Sequence, residues 1–110
     1  MRGSKGRNVA IGLKLKRENE LALRIAARRN KLLGIWAAAH MGLKGEDAAL
    51  YAMSTVRTGA DDNDEALCRK VCSDLVARGF PIVDRDVRQQ LRTCSAEARA
   101  ECTRGTGCDE

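Results

Sequence analysis

The apolar residues in the last third of this chain recur with a helical period and no other. Val87, Leu91, Cys94, Ala98 and Cys102 are spaced four, three, four and four, which is one face of an α-helix. Three earlier segments carry the same period. Leu21, Ile25, Leu32, Trp36 and Ala39 form a stripe that Leu23 and Leu33 widen, within a helix expected from about Leu13 to Met41. Ala49, Tyr51, Ala52, Met53 and Val56 give the buried face of a second helix that follows Gly45 and closes at Thr58-Gly59. Leu67, Val71, Leu75 and either Cys68 or Cys72 give that of a third, running to about Arg78. No stretch alternates with the period of two that a strand requires. A single proline, Pro81, and one each of Trp, Tyr and Phe leave the core to Leu, Ile, Val, Met and Ala. A chain of 110 residues buries about 65% of its unfolded surface, enough for one small core.

Punctuation supports this division. Gly42 and Gly79 stand where helix C-termini need them, and Pro81 follows Gly79. Glu46 and Asp47 open the second helix, where the dipole favours acids. The stretch 60–65 reads as a loop and cap with Asp62 or Asn63 as N-cap, and Asp84 opens the fourth helix, which Gly105 and Gly107 end. Gly34, inside the first helix, costs about 1 kcal/mol relative to Ala and predicts close approach by another helix. The expected fold is all-α: a small four-helix bundle over residues 20–104. A flexible or conditionally helical basic arm (1–19) precedes it and a disordered tail (105–110) follows.

Charge is unevenly placed. The net charge is +5, but residues 1–31 carry +8 and residues 32–110 carry −3. The basic character belongs to an arm, which reads as an electrostatic handle for an anionic partner. Lys14, Lys16 and Arg17 would oppose the dipole of a helix beginning near Leu13. As a partner-binding helix they make sense, because Val9, Ile11, Leu13 and Leu15 place apolar contacts among the cations. No aromatic interleaves here for stacking on bases, which disfavours nucleic acid. No apolar run approaches ~18 residues, so no stable membrane insertion is expected, and no apolar segment of signal-peptide type follows the basic start.

Catalytic and metal chemistry find little support. Cys68 and Cys72 lie one turn apart and are arithmetically able to join Cys94 and His40 around a metal, yet no C-x2-C knuckle is present. Five cysteines, with Cys94 and Cys102 on an apolar stripe, read as small hydrophobes. His40 sits alone in a last helical turn, with no nucleophile of obvious type beside it. The acids at 61–65 lack the ligand spacing of an EF-hand. No phosphate loop or nucleophile-elbow motif occurs. No cofactor is expected.

One block is specific. Residues 27–38, Ala-Arg-Arg-Asn-Lys-Leu-Leu-Gly-Ile-Trp-Ala-Ala, resemble the signature A-R-R-N-K-L-L-G-x-W-A-A of the zeta subunit of the F-type ATP synthase of α-proteobacteria. The likeness continues through Gly42, the block at 47–52, Val56, Phe80 and Val87-Arg88. The resemblance implies a cytoplasmic four-helix bundle, monomeric when free and not an enzyme. It also implies that an N-terminal segment binds the catalytic head of the synthase and inhibits ATP hydrolysis. Carried over position by position, it makes Arg7, Ile11, Lys14, Leu15, Glu20 and Leu21 partner-binding residues, and the cationic arm adds Arg17. Arg28, Arg29 and Asn30 either pair with acids at 61–65 or 84–86, or face the partner. Arg7, Lys14, Glu20 and Leu21 match the family pattern, whereas Ile11 and Leu15 stand where it has two phenylalanines. The leading acids are replaced by Lys5 and Gly6, and Gly12 replaces a charged helical residue. These changes predict a weaker contact with the family's binding site. Two alternatives accompany this reading: a zeta-like interaction module that does not inhibit, and a helical protein with a nucleic-acid-binding arm.

Overall fold

The computed structural model of the protein describes the backbone of residues 2–104 and the side chains of residues 13–104. Four helices follow in order: α1 (Arg2–His40), α2 (Gly45–Asp61), α3 (Asp64–Ala77) and α4 (Asp84–Arg104). Among the described residues there is no strand. The molecule is an all-α bundle, as the periodicity predicts. The expected tail and the expected stops at Gly105 and Gly107 lie outside the described residues.

The helix boundaries have local causes. At the end of α1, Leu43 N–H donates to the Ala38 carbonyl (2.9 Å) and Gly42 N–H to that of Ala39 (3.2 Å), a Schellman cap with Gly42 at φ 78°. The end of α3 repeats it: Phe80 N–H to Leu75 O (3.0 Å) and Gly79 N–H to Val76 O (2.9 Å), with Gly79 at φ 85°. The Asn63 side chain accepts from Ala66 N–H at 2.8 Å and so caps the start of α3. Two expectations need correction. The first helix begins at Arg2, not near Leu13, because the arm holds no proline and its glycines lower helix propensity without forbidding it. The second helix runs past Thr58-Gly59 to Asp61, so Ala60 and Asp61 are helical rather than loop.

Gly59 is a point of contact with α1, which explains why it does not end its helix. A Cβ there would lie 2.1 Å from Asn30 Nδ2. Four residues along α1 the relation is reversed: a Cβ on Gly34 would lie 2.3 Å from Thr55 Oγ1 and 2.7 Å from Ala52 Cα. Each helix thus offers a glycine to the other's side chain. Between these two sites Thr55, fully buried, places its hydroxyl 2.8 Å from the Asn30 carbonyl and 2.7 Å from the Ala52 carbonyl, sharing one hydrogen between them. Asn30 is itself buried.

This approach decides which faces are buried. On α1 the deepest residues are Leu33, Ala37 and Ala38, while Leu21, Ile25, Leu32 and Trp36 are half-buried and Leu23 and Ala39 are exposed. The expected stripe lies beside the true one, because α1 is flanked by α2 and α4 and buries two adjoining faces. On α2 the buried residues are Ala52 and Thr55; Tyr51 and Val56 are half-buried, and Ala49 and Met53 face solvent. Small side chains hold the interface because the helices come too close for Met. On α3 and α4 the expectation holds: Leu67, Val71 and Leu75 with Cys68, then Val87, Leu91, Cys94, Ala98 and Cys102. One continuous core results, with Leu33 and Ala37 of α1 packed among Leu67, Val71, Leu75, Val87 and Leu91. At its edge the Tyr51 hydroxyl donates to Asp74 Oδ2 (2.7 Å), tying α2 to α3, with Lys70 Nζ 2.9 Å from the same oxygen.

Candidate partner-binding surface

The bundle leaves part of its longest helix without a neighbour. Residues 13–20 of α1 are all exposed, and the molecule is 64 Å along its major axis but 25 and 20 Å across. Leu13 and Leu15 are 53% and 54% exposed, although large apolar side chains are normally covered. Lys14, Lys16, Arg17 and Glu20 enter none of the ion pairs among the described residues. The first turn of α1 contains no acid, so the positive end of its dipole lacks a compensating charge from within that turn. An exposed helix with cations and apolar side chains interleaved suits a groove that is acidic and apolar in turn. The side chains of Arg7 and Ile11, both expected to bind a partner, lie outside the described residues.

Leu21 marks the root of this arm. It is half-buried in a groove of about 370 Å³ between α1 and α4, whose floor includes Ala22, Ile25 and Ala26 and whose rim includes Glu18, Arg29 and Arg99.

Arg28, Arg29 and Asn30 serve the bundle itself. Arg28 Nε lies 2.7 Å from Glu101 Oε1, fixing α1 to α4. Arg29 makes a two-pronged contact with Asp64, 2.8 and 3.2 Å long, at the start of α3, while its Nε donates to Asn30 Oδ1 at 3.0 Å. Of the two acidic stretches considered as partners, 61–65 supplies Asp64 and 84–86 supplies none; Glu101 takes the second arginine.

The thiols and the histidine do not assemble. Among the described residues no group of three or more His, Cys, Asp or Glu side chains is placed to hold a metal ion. Burial, then the charge of Asp84, pushes the Cys68 thiol up, and burial pushes Cys94 up to about 11. Both stay protonated at neutral pH, which makes them poor nucleophiles and poor ligands. Cys72 Sγ lies 3.8 Å from the Ile82 carbonyl, and Cys102 is disulfide-bonded. His40 Nδ1 is 3.0 Å from the Trp36 carbonyl, and its ring packs against Trp36 and Phe80 at centroid distances of 4.9 and 4.7 Å. These contacts close the end of the bundle.

The buried thiols have a measurable consequence. The folded chain retains a proton on Cys94 that the unfolded chain releases above about pH 9. Stability is therefore complete below pH 9 and falls as pH rises toward about 11, with a slope approaching ~1.4 kcal/mol per pH unit. Urea midpoints at pH 7, 9 and 10.5 should show this decline, and Cys94→Ala should flatten it. An unchanged slope in the variant would assign the decline elsewhere.

The arm and the bundle together match one protein family. The family profile of ATPase inhibitor subunit zeta aligns with residues 1–101. The chain belongs to that family. The match spans the divergent arm as well as the signature at 27–38. A solved structure described as "Solution NMR structure of the protein" is 30% identical, with a TM-score of 0.65. The alignment covers 76% of this chain and 95% of that one. No curated protein matches the chain. The family is that of an ATPase inhibitor subunit, which is consistent with a regulatory role in ATP synthase and implies a protein partner there. Among the described residues no helix is long and apolar enough to cross a membrane.

Two features of the structure escape sequence reasoning. The Asn30–Thr55 interlock has only a faint signal, a polar residue in each helix beside a paired small one. The exposure of Met53 has none, since its spacing matches the buried face.

Proposed function

We propose that this zeta family member inhibits ATP hydrolysis by seating residues 1–19 of α1 on the catalytic head of the F-type ATP synthase. It does so without catalysing a reaction itself. The observation that carries this reading is the unpartnered helical arm, cationic and apolar, on a bundle whose family is that of an ATPase inhibitor. Arg17, Lys14 and Leu15 supply the contact, with Arg7 and Ile11 on the same segment and Glu20 and Leu21 at its root. Arg28, Arg29 and Asn30 hold the bundle in shape behind it. A partner of this kind is reached by electrostatic steering and held by apolar burial. Leucine and isoleucine bury less area than phenylalanine, so the contact should be weaker than an aromatic version of the same helix.

The test is an ATPase assay on the isolated head from the same cell. Full-length protein should lower the hydrolysis rate in a saturable manner, and the chain lacking residues 1–19 should not. Equal rates with and without full-length protein would end the inhibitor reading while leaving the family and fold intact.

A further inference from the structure

The cysteines of the described residues are of two kinds. Cys68, Cys72 and Cys94 are free, whereas Cys102 is disulfide-bonded. Cys108, the fifth, lies outside the described residues and is the one cysteine left within the chain to pair with it. Cys102 stands where the arm meets the bundle. Ser95, Arg99 and Cys102 follow at spacings of four and three, one face of α4. Ser95 and Arg99 line the groove that takes Leu21, Ala22 and Ile25 of α1. Cys102 is the next step on that face, 8% exposed, beside the Arg28–Glu101 pair that fixes this end of α4 to α1.

Covalent geometry limits where residues 105–110 can go. A disulfide holds its two Cα atoms about 4.4–6.8 Å apart. A bond from Cys102 to Cys108 therefore turns the residues between them back on α4, and Gly105 and Gly107 suit that reversal because glycine accepts either sign of φ. Asp109 and Glu110 directly follow Cys108. Arg99 lies three residues before Cys102, about 4.5 Å along the helix axis. Its guanidinium makes no ion pair among the described residues, whereas Arg29, the other cation of the groove rim, is held by Asp64. Two carboxylates beside an unmatched guanidinium are complementary. An exposed pair of this kind guides more than it holds; the disulfide supplies the holding, by keeping the segment at high effective concentration over the groove.

We propose that Cys102 and Cys108 form a reversible staple that folds residues 105–110 over the α1–α4 groove, and that reducing the staple uncovers Leu21. Leu21 is the root of the arm, so the cover restrains docking of the arm on its partner; this consequence rests on the arm reading above. The step is a thiol–disulfide exchange with a dithiol reductant. Cys102 is buried, so a reductant thiolate attacks the Cys108 sulfur and displaces the Cys102 thiolate, which takes up a proton. The second reductant thiolate then attacks the mixed disulfide at the reductant's own sulfur and displaces the Cys108 thiolate, which is protonated in turn. Two electrons pass to the staple, and the reductant leaves as a disulfide.

The experiment compares the purified full-length chain oxidised by air, the same chain reduced with dithiothreitol, and Cys108→Ser. Free thiols of the oxidised chain are blocked in urea, and the chain is digested with trypsin without reduction. Residues 100–104 and 105–110 should leave as one linked peptide, with Cys68, Cys72 and Cys94 blocked. In methyl NMR spectra of the folded chain, the Leu21 and Ile25 resonances should move on reduction. Cys108→Ser should match the reduced state, and Leu33, fully buried in the core, should stay in place. The reduced chain and the variant should bind the isolated head about threefold more tightly, because a larger fraction of chains is competent to bind. A disulfide-linked dimer, a full set of blocked thiols, unmoved Leu21 and Ile25 methyls, or equal binding in the two redox states would each overturn the proposal. Failure of every form to bind the head would sink the arm reading instead, and the peptide and methyl results would still decide the cover.

Discussion

Gly34→Ala should destabilise the protein by about 2–3 kcal/mol, although alanine is the better helix former by about 1 kcal/mol. The new methyl would lie 2.7 Å from the Ala52 Cα, which is backbone and cannot rotate away, and 2.3 Å from Thr55 Oγ1. Either α2 retreats as a whole, or Thr55 leaves its place and the hydrogen bond to the Asn30 carbonyl is lost within a buried site. In a domain of this size the change should lower the melting temperature by roughly 10–20 °C. Thermal and urea unfolding of the two chains check it. A neutral or stabilised variant would mean that α1 and α2 do not approach as closely as described.

The second large effect is at Leu33, which is fully buried. Leu33→Ala should cost about 2–5 kcal/mol, the sum of lost apolar burial and the cavity left among Leu67, Val71 and Val87. Leu23→Ala, on the same helix but 70% exposed, should change stability by less than ~0.5 kcal/mol. Both leucines lie at the margin of the stripe read from periodicity. Similar losses in the two variants would refute the burial pattern of α1.

The contrast shows what periodicity conveys. For α3 and α4 the spacing of Leu67, Val71 and Leu75 and of Val87, Leu91 and Cys94 identified the buried residues. The helix ends at Gly42 and Gly79 were equally legible, because a left-handed turn leaves a glycine in a known place. α1 is different: it packs along both α2 and α4, and a helix buried on two adjoining faces has no single apolar stripe. α2 misled for another reason. It packs by closeness, with Ala52, Thr55 and Gly59 inward, so Met53 is outside although a hydrophobicity count puts it inside. The arm was legible as a charged and apolar segment from its composition. That Arg29 pairs within 61–65 was one of the two readings the sequence left open, whereas the Arg28 pairing with Glu101, 73 residues away, was not among them.

One consequence concerns phase. Because α1 runs unbroken from Arg2 to His40, the arm has no hinge in which to choose its own orientation. Each residue of the connecting segment sets the arm's bearing about the helix axis by about 100° and its reach by about 1.5 Å. A single inserted residue ahead of Leu21 would swing the whole arm about a quarter-turn relative to the bundle, whereas seven would restore the alignment to within ~20°. The chain therefore specifies angle and distance together, as the toothing of a key does, and the number of residues between the arm and the bundle is as much a part of its recognition surface as the side chains it carries.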